Sequence, residues 1–94
     1  MKSNNYSTET IVKGWPDIKK LIRDRYGLSE IAYLTWVYDL SLDYVGSETV
    51  TIGIPSDNKC ILVYMENRFA ECFKEILLEQ TGKSYAIKFA LSSN

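Results

Sequence analysis

Histidine is absent from this chain, and cysteine occurs only twice, at Cys60 and Cys72. Without histidine, the commonest general base and the nitrogen ligand of transition-metal sites are both missing. The two thiols have no further ligands at the spacing of a zinc site. They stand twelve residues apart in a segment of helical periodicity, about 18 Å along a straight axis, too far for a disulfide. Both are read as reduced thiols. Lys59 beside Cys60 points elsewhere on a helix, so no activated nucleophile is expected.

Glycine is also sparse. The five glycines are isolated from one another, which excludes a glycine-rich phosphate loop and the GxxG loop that clamps single strands. A charge excess of either sign is missing: 11 basic and 12 acidic residues leave a net charge of -1. Domains whose affinity rests on phosphate neutralisation carry a marked positive excess. No run of 18 apolar residues exists to span a membrane. The opening Met1–Thr10 stretch is polar, without the apolar region of a secretory signal, so the cytoplasm is the expected compartment. Paired carboxylates such as Glu71 and Glu75 read as a solvated helix face. No catalytic residue, metal or cofactor is expected, and the chain is not read as an enzyme.

What the sequence does have is apolar periodicity. Ninety-four residues, 46% of them hydrophobic, suit one small domain that folds without staples. Residues 1–13 read as a flexible polar leader, with Ile11 and Val12 candidates for touching the body, and 14–94 as the domain. Trp15, Ile18, Leu21 and Ile22 recur at helical spacing, Pro16 suits a first helical turn, and Gly27 suits a stop. A second helix, capped by Ser29 and running to about Leu40, carries Ile31, Leu34 and Tyr38 on one stripe. Tyr33, Trp36, Val37 and Leu40 lie on the adjoining one. That breadth predicts burial over more than half its circumference.

The period then changes to two. Ser41–Val45 and Thr49–Ile54 read as a hairpin, with Leu42 and Tyr44 on one face of the first strand and Val50, Ile52 and Ile54 on one face of the second. Gly53 inside a strand predicts a bulge or a close approach. Ser56 or Asp57 is the expected cap of a long third helix reaching about Gln80, with a kink or join near Asn67–Arg68 left open. Its stripe is Ile61, Met65, Phe69, Phe73 and Ile76. Ser84–Leu91 alternates as a last strand. The fold class is therefore α+β, a small single domain of order α-α-β-β-α-β. The helices cover the apolar face of a three-stranded sheet, and Phe69, Phe73, Ile87 and Phe89 share one interior.

With chemistry excluded, the aromatic surplus points to a surface. Trp15, at the edge of a short helix, is either a lid on the core or an interface anchor. Trp36 is assigned to the core. Lys19, Lys20 and Arg23 concentrate positive charge on the first helix and are the candidates for contact with nucleic acid, weak at most.

Several ordered features resemble the N-terminal domain of DnaA, the bacterial chromosomal replication initiator. They are Trp15 opening the first helix, Leu28-Ser29, the run Tyr33-Leu34-Thr35-Trp36-Val37 closed by Leu40, and Ile54-Pro55-Ser56 before a helix bearing Phe69 and Phe73. The alternating Ile87-Lys88-Phe89 completes the set, which spans roughly Gly14 to Leu91. The resemblance implies a K-homology-like fold without the GxxG loop and a recruitment role. Its functions would be weak self-association into a homodimer and docking of the replicative helicase and initiation regulators. Carried over, Trp15 with Ile18 and Lys19 would serve self-association, and Glu30, Ala32 and Tyr33 would form the partner-binding face. Ala32 stands where some members have a glutamate implicated in helicase contact, and Asp39 stands in place of their proline. Two alternatives accompany this reading. One is a weak single-stranded nucleic-acid-binding domain; the other is a free-standing regulator competing for the initiator's partners.

Overall fold

The computed structural model describes the backbone of residues 2–92 and the side chains of residues 8–92. Helix α1 (Lys2–Lys13) runs into α2 (Trp15–Arg25), followed by a single α-helical turn, α3 (Glu30–Ala32), that continues as a π-helical turn over Tyr33–Val37. Strands β1 (Ser41–Val45) and β2 (Thr49–Ile54), the long helix α4 (Lys59–Thr81) and strand β3 (Ala86–Leu91) complete the chain. With α3 and the π turn counted as one helix, the order α-α-β-β-α-β holds, preceded by α1.

Helix α1 replaces the polar leader expected over residues 1–13, of which Met1 lies outside the described residues. Ile11 is fully buried in the core, whereas Val12 is exposed. Backbone bonds from Gly14 N to Thr10 O (3.0 Å) and Ile18 N to Gly14 O (2.8 Å) carry the helical path across the junction. The break falls there because Pro16 has no N–H to donate back along the helix. Ile11 anchors this polar helix to the body.

Strand β2 is central, antiparallel to β1 and parallel to β3. Val50, Ile52 and Ile54 point to the covered face and are buried, as their alternation predicts. Beneath the helices, Phe73 stacks on Trp15 (ring centroids 5.5 Å apart) and meets Phe89 edge-on (6.3 Å). Phe69 joins the same core, and Ile87 packs against it. Helix α4 is unbroken across Asn67–Arg68. Its cap is Asn58, whose Oδ1 accepts from Cys60 N at 2.9 Å, not Ser56 or Asp57; Ser56 Oγ instead accepts from Asn58 N. Gly27 and Gly82 take positive φ (68° and 76°), a left-handed conformation that side-chain-bearing residues disfavour, and so end their helices.

Two face assignments are corrected. The pairing shifts between Leu42 and Tyr44, so Asp43 is an extra residue and Tyr44 pairs with Thr51 on the open face instead of sharing Leu42's covered face. The close approach expected at Gly53 lies on that open face. A methyl there would meet Asp43 Oδ1, Ser41 Oγ and Ser92 Oγ. Ser41 and Ser92 both donate to the Asp43 carboxylate, at 3.1 and 2.6 Å. The second correction concerns the helix before β1. Tyr33, Val37 and Leu40 are buried, but Ile31, Leu34 and Tyr38 are exposed, because no element among the described residues packs over that side.

Candidate protein-interaction surface

The surface is built by α2 and the α3–π segment lying side by side. Ser29 starts the segment as expected, its Oγ accepting from Ala32 N at 3.1 Å. The π turn closes with a bond from Tyr38 N to Tyr33 O, five residues back, at 2.8 Å. Lys19 meets the C-terminal end of this segment while Arg23, one turn on, covers the Tyr33 ring, so the two helices run antiparallel.

Lys19 is tied down. Its ammonium donates to Tyr38 O (2.6 Å) and Leu40 O (3.1 Å) and sits 5.8 Å from the Trp15 ring centre and 5.7 Å from that of Tyr38. Carbonyls at a helix C-terminus lack partners within the helix, and a cation there satisfies them. Partial burial lowers the Lys19 pKa, opposed by the nearby Asp39 carboxylate. Trp15 Nε1 also donates to Leu40 O, at 2.9 Å. Trp15 thus locks the end of the segment to the core through one hydrogen bond and one ring stack.

This placement decides between the two readings of Trp15. At 7% exposure it is the lid on the core, and Ile18 lies deeper still. Trp15 and Ile18 are therefore core positions, with their side chains turned inward. Of that trio only Lys19 reaches the surface. Of the partner-binding trio, Glu30 is exposed, Ala32 half-buried and Tyr33 buried. Burial also raises the Tyr33 pKa. Among the three basic candidates, Lys19 is bound to carbonyls and Arg23 is paired with Asp24 at 2.8 Å. Lys20 alone is left without such a bond among the described residues.

An open groove of about 510 Å³ separates the two helices, lined by Pro16, Lys19, Lys20, Tyr33, Tyr38 and Asp39. It thus joins Lys19 of the self-association set, Tyr33 of the partner-binding set, and Lys19 and Lys20 of the basic set. Beside it runs the stripe that the sequence showed but placed inside: Ile31 is 77% exposed, Leu34 47% and Tyr38 54%. On the other flank Trp36 is half-buried and packs against the core, and its ring lies 4.7 Å from that of Tyr64. A smaller groove of about 170 Å³ lies there, bounded by Trp36, Leu40, Ile54, Pro55, Ile61 and Met65, among others.

The described residues contain no buried polar or charged side chain and no cluster of three or more His, Cys, Asp or Glu able to hold a metal. Cys60 is exposed and Cys72 buried, and burial pushes the Cys72 thiol up. Among the described residues no helix is long and apolar enough to cross a membrane. No protein-family model matches the chain.

Proposed function

We propose that this domain is a non-catalytic protein-docking module of DNA replication initiation, acting in the cytoplasm, like the DnaA N-terminal domain it resembles. It self-associates weakly and docks the replicative helicase or regulators of initiation. The observation that carries this reading is the unpartnered stripe of Ile31, Leu34 and Tyr38 on one helix face. Large apolar side chains grouped on a surface and rimmed by polar groups mark interaction sites. A few such residues commonly supply most of a binding energy. Glu30 and Ala32, two of the residues implied as partner-binding, belong to the same short helix. The ordered residues shared with that family support the choice of process.

The reading is tested by titrating the isotope-labelled chain with purified replicative helicase and with purified initiation regulators. Amide signals of Ile31, Leu34 and Tyr38 are expected to shift. Leu34→Ser is expected to weaken binding by about tenfold or more. Absence of binding by all of these proteins, or binding at full strength by Leu34→Ser, overturns it.

A further inference from the structure

We infer that the outer edge of β3 takes up an extended peptide strand in which acidic residues alternate with apolar ones. This edge shares no residue with the helical stripe assigned to docking above.

Strands β1 and β3 both lie at sheet edges, and an edge strand offers unpaired N–H and C=O groups to any chain able to pair with it. The two edges differ. The register of β1 shifts at Asp43, and helix α1 lies beside it; a bulge twists an edge away and spoils it as a template. Strand β3 keeps an unbroken parallel register with β2 from Ala86 to Leu91. At its two ends Ala86 N donates to Glu48 O (2.8 Å) and Ser92 N to Ile54 O (2.7 Å), so the even-numbered residues direct their backbone groups to β2. That direction alternates along a strand, and Ile87, Phe89 and Leu91 therefore turn theirs outward. No other described residue is hydrogen-bonded to them there.

The side chains select the occupant. An added antiparallel strand sets one residue directly opposite each residue of β3, on the same face. Opposite Ile87 and Leu91, which are half-buried and pack on the core, apolar side chains remove further apolar surface from water. Opposite Lys88 the requirement is charge. Its side chain is exposed and makes no hydrogen bond, ion pair or ring contact among the described residues. Its row across the sheet continues with Thr51 and Tyr44, so that row holds no carboxylate. A carboxylate opposite the ammonium is favourable, and a like charge is not. A second copy is disfavoured for that reason: two β3 strands paired over most of their length about a two-fold axis set their Lys88 side chains opposite or diagonally across from each other. Lysine on an edge strand ordinarily blocks pairing. Here it discriminates, rejecting β3 itself and admitting an acidic strand.

The test titrates the isotope-labelled whole chain with two synthetic peptides, one alternating valine with glutamate and one alternating valine with lysine, and reads amide hydrogen exchange. The glutamate peptide is expected to slow exchange at Ile87, Phe89 and Leu91 and to leave Lys88 and Ala90, already bonded to β2, little changed. It should bind about tenfold or more tightly than the lysine peptide. N-methylation of its valines, whose amides face β3, should abolish binding, and N-methylation of its glutamates should not. Lys88→Glu, with circular dichroism confirming its fold, should reverse the preference between the two peptides. Unchanged exchange at the three outward amides in millimolar glutamate peptide overturns the proposal. So do equal binding of the two peptides, binding that survives N-methylation of the valines, and a Lys88→Glu chain with the wild-type preference. Slowed exchange at the same amides as wild type alone is concentrated also overturns it, by giving the edge to a second copy. Leu34→Ser should bind the glutamate peptide as wild type does, which keeps a failure here separate from a failure of docking at the helical stripe.

Discussion

Helix α4 and the α3–π segment carry apolar stripes of similar width, and they meet opposite fates. Met65, Phe69, Phe73 and Ile76 are buried against the sheet, whereas Ile31, Leu34 and Tyr38 face solvent. Helix α4 lies between β2 and β3 in the chain, and packing over β3 gives its stripe a partner. The α3–π segment is an outer element, filled on its inner side by Tyr33, Val37 and Leu40 and uncovered on its outer side. Periodicity reports that a helix has an oily side. Whether that side is filled depends on what else the chain has left to cover it.

The contrast is sharpest in stability. Phe73→Ala removes a ring that stacks on Trp15 and meets Phe89, and should cost about 3–5 kcal/mol in denaturant unfolding. A value near zero would mean that the interior is not packed as described. Gly53→Ala comes next. Its methyl must displace Asp43 and the two serines bonded to it, an overpacking expected to cost about 1–3 kcal/mol. Replacing Asp43 by alanine as well should recover part of that loss, and additive losses would sever the link between bulge and glycine.

Ile31→Ser belongs to the other side of the comparison. Its side chain touches water, so stability at low protein concentration should change by less than about 0.5 kcal/mol. A cost of several kcal/mol would show that the stripe is covered after all. The smallest effect is electrostatic. Arg25 donates twice to Glu79, at 2.8 and 2.7 Å, tying the end of α2 to the end of α4. These hydrogen bonds hold the Glu79 carboxyl below its ordinary pKa. A depressed folded-state pKa adds stability above the unfolded pKa, and that contribution is lost as pH falls through the folded value. The stability advantage of wild type over Glu79→Gln should therefore shrink on acidification through and below the usual carboxylate range. It should be small everywhere, because the pair is exposed. Thermal unfolding of both proteins across that range provides the check.

Much of the fold was legible because local chemistry and tertiary structure agree. Pro16 and Gly27 bound α2, Gly82 ends α4 in the left-handed conformation their spacing implied, and Ser29 caps its helix. Other features were hidden for identifiable reasons. Among its described side chains the α1 helix has one deeply buried apolar residue, Ile11, too little for a periodic signal. The Asp43 bulge leaves the alternation of Leu42 and Tyr44 intact on paper while reversing one of them in space. The capture of Lys19 by two carbonyls depends on contacts between residues about twenty positions apart.

The same division runs through the interaction surface. Its residues Glu30, Tyr33, Lys19 and Lys20 were singled out from the sequence, yet assigned to three separate roles. Only the antiparallel pairing of α2 with the α3–π segment gathers Lys19, Lys20 and Tyr33 at one groove and brings Tyr38 beside them. Alternation and punctuation by themselves determined the class of fold and the order of its elements from α2 onward, since these follow from spacing along the chain. Which apolar side stays open, and that Trp15 closes the core instead of offering a surface, was decided by tertiary structure. Burial is a property of neighbours, and most of these neighbours are distant in sequence.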